Sequence, residues 1–391
     1  MITILKRPPH DSFTYRLFFK FASKLTAPND CIYLWSAALD PNYFNPSIKH
    51  YQGEFFKYET ELHFRNSMFD LIKEDFIVLG IKDHLTSTNF DPWAEDKPSL
   101  VKYLDEMFKF YADKKFILLT SLENLGVYLT NSNVTIVPWG GDLTNQQSEY
   151  KLLQPVIEKN MASQHSYISL NRNIRTHRLG LMAVLHGLNL EQYGNISCMF
   201  KDSLAPIYWT ITEQQVHIQQ VMEQGYAKLK SATFSIQDEV QIYANGDNDN
   251  VTNFKNKLST YYEHSFVEIV SETSFTERAF LITEKTLNSI YGCNFPIILC
   301  GPGTVKFLRD MGLDMFDDIV NHNYDTMDNP VDRLYHAIYD NTDLLTNTES
   351  TKALWQANKH RFLANVDFVK NNIYKFYAER AAAAFDKAIL E

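Results

Sequence analysis

A chain of 391 residues exceeds what one hydrophobic core usually holds and fits two domains of roughly 150 to 200 residues with a cleft between them. An apolar share of 45% and a charged share of 21% exclude disordered and fibrous classes, and a net charge of -10 leaves room for a local basic groove but not for a surface that binds nucleic acid throughout. No run approaches the roughly 18 uninterrupted apolar residues of a bilayer span, and the apolar run in MITILKRPPHDSF is too short for a signal peptide, so a cytoplasmic protein without a membrane span is expected.

Short apolar runs alternate with helical patterns, the signature of strand-helix-strand units and parallel sheets. Strands are expected at 31–36, 75–80, 115–120 and 134–138, all rich in β-branched or aromatic residues. Between the second and third, Ser99 caps an expected helix with Leu100, Leu104, Met107, Phe108 and Tyr111 on one face. The aromatic stretch from Tyr33 to Phe44 serves core packing or an acceptor pocket. Punctuation by Gly, Asn and Gln in GGDLTNQQSEYK marks a linker at 140–151. Further strands are expected at 166–170, 195–200, 265–270 and 295–300, with helices after the first and third and another after GPG at 301–303. The tail from Asp367 to Leu390 reads as one amphipathic helix. The expected division is 1–155, 156–365 and a terminal helix, 366–391, that packs back on the N-terminal domain. Cys31, Cys198, Cys293 and Cys300 form no CxxC pair and read as core residues.

Two clusters carry chemistry. In SLNRNIRTHRLG, Arg172 and Arg175 lie in a strand-to-helix turn, Thr176 is the expected N-cap, and Arg178 falls in the first helical turn. Cations at a helix N-terminus oppose the helix dipole by up to about 1 kcal/mol unless an anion binds there. A diphosphate resolves the conflict through free N–H groups and guanidinium forks; pairing with surface acids is the alternative. In SETSFTERAFLITEKTLNSIYG, Glu272 ends a strand and Thr283, Glu284 and Lys285 open a helix. There Glu284 can accept from vicinal ribose hydroxyls and Lys285 can charge-pair with a phosphate; an ordinary helix cap is the alternative. His177, His186 and His217 are scattered and read as satisfied histidines, and YAKLK at 226–230 as a solvated helix face.

The run ETSFTERAFLITEKTLNSIYGCNFPIILCGPG resembles the donor-binding segment of GT-B glycosyltransferases of the α-1,3-fucosyltransferase and exostosin-like type, with Glu-Thr-Ser in place of Glu-Asn-Ser. SLNRNIRTHRLG is similar to a motif of phage-encoded glycosyltransferase-like proteins, and the C-terminal AAAAFDKAIL resembles the end of the DNA glucosyltransferases of T-even-type phages. The resemblance covers about 165–310. It implies an α/β GT-B fold, in which two Rossmann-like domains with parallel sheets face a central cleft. It further implies a nucleotide-sugar donor such as a UDP- or GDP-sugar, held by Arg172, Arg175, Arg178, Glu272, Thr283, Glu284 and Lys285, with no cofactor. Transfer would be metal-independent, and the only DxD-like triplet, Asp247-Asn248-Asp249, reads as a turn. An inverting enzyme needs a base in the N-terminal domain: Asp83 is favoured over His84, Glu123 and Asp142. The acceptor implied by the phage resemblance is hydroxymethylcytosine in double-stranded DNA; a lipopolysaccharide, a capsule or a protein are alternatives, as is a non-catalytic GT-B-like binding protein.

Overall fold

The computed structural model describes residues 3–4, 23–25, 31–35, 76–81, 105, 108–109, 112–140, 143–144, 150–171, 175–198, 215–234, 236, 254, 258–275 and 278–390. It is an α/β protein with two parallel sheets of Rossmann-like character. The chain separates into two compact units, one of Met1–Asn145, Glu277–Ile282 and Ile373–Glu391, the other of Gln146–Thr276 and Thr283–Asn372. No described helix is long and apolar enough to cross a membrane.

The first unit holds β1 (Thr3–Ile4), β2 (Cys31–Trp35), β3 (Phe76–Ile81), β4 (Lys115–Thr120) and β5 (Val134–Pro138), hydrogen-bonded in sequence order and all parallel. Ile77, Val78 and Leu79 on β3 and Phe116 to Leu119 on β4 are buried in continuous runs rather than alternately. Such runs mark strands covered on both faces. The two-residue β1 has no counterpart among the expected strands. The helix capped by Ser99 and the linker fall largely outside the described residues.

The second unit holds β6 (Tyr167–Ser169), α1 (Thr176–Gly187), β7 (Gly194–Ile196), α2 (Val216–Leu229), α3 (Ser259–Glu263), β8 (Val267–Ser271), α4 (Glu284–Tyr291), β9 (Phe295–Leu299) and α5 (Thr304–Met311). Five more helices close the chain: α6 (Pro330–Tyr339), α7 (Thr342–Thr346), α8 (Thr348–Ala357), α9 (Lys359–Asn371) and α10 (Ile373–Leu390). Helices α1 and α2 approach closely because glycines face each other: a Cβ on Gly225 would stand 1.7 Å from the Ala183 carbonyl oxygen and 2.6 Å from the Gly187 nitrogen. Of the strand expected over 195–200, the described part runs Gly194–Ile196, with Ser197 in a single bridge to Ile236, and residues 199–200 lie outside the described residues.

The tail is two helices rather than one, broken at Asn372, whose N–H closes on the Phe368 carbonyl. Helix α9 belongs to the second unit and α10 to the first. In the first unit α10 lies along β5, and Tyr377 occupies the space that a Cβ on Gly140 would take, 2.2 Å away.

The sheet of the second unit runs β7-β6-β8-β9. From β6 the chain steps outward to β7; it then returns to β8 on the other side of β6 and steps outward again to β9. The strand order therefore reverses between β6 and β8. In open parallel sheets the crevice at such a reversal, outside the carboxyl ends of the strands, is where ligands bind. The sequential order of the first sheet contains no reversal among its described strands.

Candidate functional site

Three helices of the second unit start at the carboxyl edge of its sheet, and their N-termini differ. Helix α5 is closed internally: Asp325 accepts from the Val305 N–H at 3.0 Å and from the Lys306 N–H at 2.9 Å. Helix α4 is tied down by Glu272, just past the end of β8. Glu272 Oε1 accepts from the Thr283 N–H at 3.0 Å and the Thr286 hydroxyl at 2.7 Å, and Oε2 accepts from the Thr283 hydroxyl at 2.5 Å. Helix α1 has no acidic residue in its first turn, and its N-cap is Arg175, a side chain with no acceptor. The expected cap, Thr176, is instead the first helical residue, because Arg175 is the last residue with extended backbone.

The two sequence clusters meet here. His177, in the first turn of α1, carries its proton on Nε2, since that atom lies 2.9 Å from the Glu272 carbonyl oxygen, which only accepts. Its ring stacks on Phe275, with centroids 5.1 Å apart. Burial, then the charge of Arg178, and further Arg175 and Lys285, push the imidazole well below its ordinary pKa against the opposing bond to Glu272, so it is neutral at pH 7. Arg175, Arg178 and Lys285 thus converge electrostatically on one residue at the strand reversal. Arg178 is buried and its Nη2 donates to the Ser271 carbonyl at 3.2 Å, which fixes the guanidinium over the end of β8. Lys285 keeps 24% of its side chain exposed, with Nζ 2.9 Å from the Thr283 hydroxyl and 3.8 Å from Glu272 Oε2. Glu284 is equally exposed, 3.4 Å from Lys285 Nζ. Burial would raise its pKa, but Lys285 and the surrounding hydrogen bonds outweigh it and hold the carboxyl below the usual range.

Glu272 departs from its expected place facing a ligand. It is fully buried, with both oxygens engaged by Thr283 and Thr286, and acts as the carboxylate that anchors α4. Thr283 is likewise a buried cap. The expected site groups left partly exposed are Arg175, Glu284 and Lys285. Arg172 and Asp83 lie outside the described residues, as do His84, Asp142, Asp247 and Asp249. Glu123 is described, and it is 1% exposed in the first unit. Its Oε2 accepts from Arg380 of α10 at 2.9 Å, and its backbone pairs with Phe280. Burial raises its pKa, opposed by Arg380. Its geometry is that of an anchor for the terminal helix.

One residue escaped the sequence reading because no local pattern marks it. Arg333 on α6 is 1% exposed; its Nε donates to the Cys300 carbonyl at 3.2 Å and its Nη1 to the Met327 carbonyl at 2.5 Å. Its Nη2 donates to the Phe275 carbonyl, and its guanidinium carbon lies 4.6 Å from the centroid of the Phe275 ring. It thereby fixes the loop after β8, which presents Phe275 to His177, against the carboxyl end of β9. Among the described residues no group of three or more His, Cys, Asp or Glu is arranged to hold a metal ion.

The arrangement can neutralise a multivalent anion at the N-terminus of α1, with Glu284 available for hydroxyl groups beside it. No protein-family model matches this chain, and no curated protein matches it.

Proposed function

We propose that the chain is a GT-B glycosyltransferase whose second unit holds the diphosphate of a nucleotide-sugar and whose product is a glycosylated hydroxyl. The observation that carries this reading is the convergence of Arg175, Arg178 and Lys285 on His177 at the strand reversal, around the one helix N-terminus of the three that no carboxylate among the described residues closes. A leaving nucleoside diphosphate gains negative charge as the glycosidic bond breaks, and prearranged cations and N–H dipoles stabilise that charge where it develops. Glu284, ionised at neutral pH, suits vicinal ribose hydroxyls.

Thermal stabilisation by UDP, GDP, ADP and their glucose esters, with and without EDTA, tests the donor half. A midpoint rise of several degrees for one nucleotide supports the reading, and no response to any of them refutes it. The acceptor half starts from the likeness of SLNRNIRTHRLG to phage sequences: duplex DNA containing hydroxymethylcytosine should gain the mass of one sugar per modified base. DNA left unmodified by a chain that hydrolyses the donor would move the acceptor to a saccharide or protein hydroxyl.

A further inference from the structure

Beneath the first turn of α1 are two polar groups without a hydrogen-bond partner among the described residues. Asn171, just past the end of β6, is completely buried; its Nδ2 donates to the Ser169 hydroxyl at 3.0 Å and its N–H to the Ser197 hydroxyl at 2.9 Å. Its Oδ1 has no hydrogen-bond partner among the described residues. Ser271, the last residue of β8, is 1% exposed, and its Oγ also lacks a partner among the described residues. A buried polar atom left unbonded costs on the order of 1 to 3 kcal/mol, so native folds rarely keep one without a use.

These two groups stand at the carboxyl ends of adjacent strands. Strands β6 and β8 pair with Tyr167 opposite Val267 and Ile168 opposite Glu268. Continued at the same offset, that register places Asn171 opposite Ser271, and both share the parity of Tyr167, so they emerge on one face of the sheet. That face looks toward α1, because Tyr167 Oη donates to the carbonyl of Leu190, which follows α1. The first turn of α1 reaches the same spot, as the bond from Arg178 to the Ser271 carbonyl shows. The pair thus sits at the strand reversal, beside the cations but distinct from them in chemistry. Oδ1 of Asn171 is an acceptor; a phosphate oxygen would be repelled by it, and an O–H or N–H is what it takes.

We propose that Asn171 and Ser271 form the hydroxyl-recognising part of the ligand site, with Asn171 Oδ1 accepting from, and Ser271 Oγ bonding to, a ribose or transferred-sugar hydroxyl of the nucleotide-sugar. This rests on the donor reading of the second unit. It makes the two residues determinants of specificity rather than of charge, and it gives a use to two groups that the described residues leave unsatisfied.

The test is titration calorimetry of the full chain and of Ser271→Ala with pyrophosphate, UDP, GDP and the corresponding glucose esters. Ser271→Ala removes a hydroxyl with no partner among the described residues, so its melting temperature should equal or exceed that of the parent. Its affinity for the nucleotide that the parent binds should fall about 3- to 10-fold, the worth of one hydrogen bond, while pyrophosphate binding stays unchanged. Weakening already present with the nucleoside diphosphate assigns the contact to the ribose; weakening seen only with the sugar ester assigns it to the transferred sugar. Asn171→Ala should weaken the same probe. Parent-like affinity of both variants for every probe would overturn the assignment while leaving the donor site intact, the orphan groups then being hydrated by ordered water. Equal loss of pyrophosphate and nucleotide would also overturn it, by placing Ser271 on the anion. Failure of the parent to bind any probe overturns the donor reading, and this inference with it.

Discussion

Lys159 and Glu268 are ionisable groups held inside the second unit, and burial moves both from their ordinary pKa. Lys159 Nζ donates to the carbonyls of Tyr262 at 2.7 Å and Gly292 at 2.5 Å and to Asn294 Oδ1 at 2.6 Å, which places a cation at the C-terminus of α4, where the helix dipole favours it. Burial nevertheless lowers its pKa to about 7. Burial pushes Glu268 up to about 8, against the bond it accepts from the Tyr262 hydroxyl at 2.8 Å. Since folded Glu268 keeps its proton to higher pH than the unfolded chain does, its contribution to stability is present below about pH 4.5 and is lost as pH rises toward 8. Glu268→Gln should match the parent at pH 4.5 and exceed it increasingly above, by at most about 1.4 kcal/mol per pH unit of that window. Urea midpoints at pH 5, 7 and 9 measure this. At the candidate site, Lys285→Ala should weaken nucleoside diphosphate binding by roughly 1.5 to 3 kcal/mol, the worth of a charge-assisted hydrogen bond. Titration calorimetry with an unchanged affinity would remove Lys285 from the site.

Elements are held by a few contacts that substitution can isolate. The close approach of α1 and α2 depends on Gly225, where a methyl group would meet backbone atoms of Ala183 and Gly187 that cannot swing aside. Gly225→Ala should therefore destabilise the second unit by about 1 to 3 kcal/mol or more, read from the urea midpoint, despite the better helix propensity of alanine. Asp325 closes α5 from the short 3-10 helix Asn323–Thr326, and Asp325→Ala should cost about 1 to 2 kcal/mol by freeing the Val305 and Lys306 N–H groups. Strand β4 was legible because KFILLT is an apolar run between turn signals, and β5 and β9 likewise. The break at Asn372 was not, since apolar spacing continues from Phe368 through Ile373 to Tyr377, while the two helices on either side belong to different units.

At the scale of the molecule, the first unit is assembled from three stretches of chain. Glu123 shows how: its backbone pairs with Phe280, and its carboxylate holds Arg380 of α10. Removal of residues 373–391 would strip Tyr377, Ala381 and Phe385 from their buried places and leave Glu123 without its cation. Hydrogen exchange of the truncated chain should show loss of protection across β4 and β5, with β6, β8 and β9 protected as in the full chain. Uniform protection in both units would show that α10 is dispensable.

The sequence by itself determined most of the strands and the two cationic and polar clusters, because strand runs, helix faces and cap residues are local and their periods can be counted. It also placed Arg175, Arg178, Glu284 and Lys285 at helix starts. Only the tertiary structure decided which groups face a ligand. The order β7-β6-β8-β9 brings two helix N-termini about a hundred residues apart to one crevice, and it turns Glu272 inward beneath α4, whereas Asp325 closes α5. Strand order is a property of long-range pairing, set by which hydrophobic faces cover each other, and spacing along the chain does not carry it.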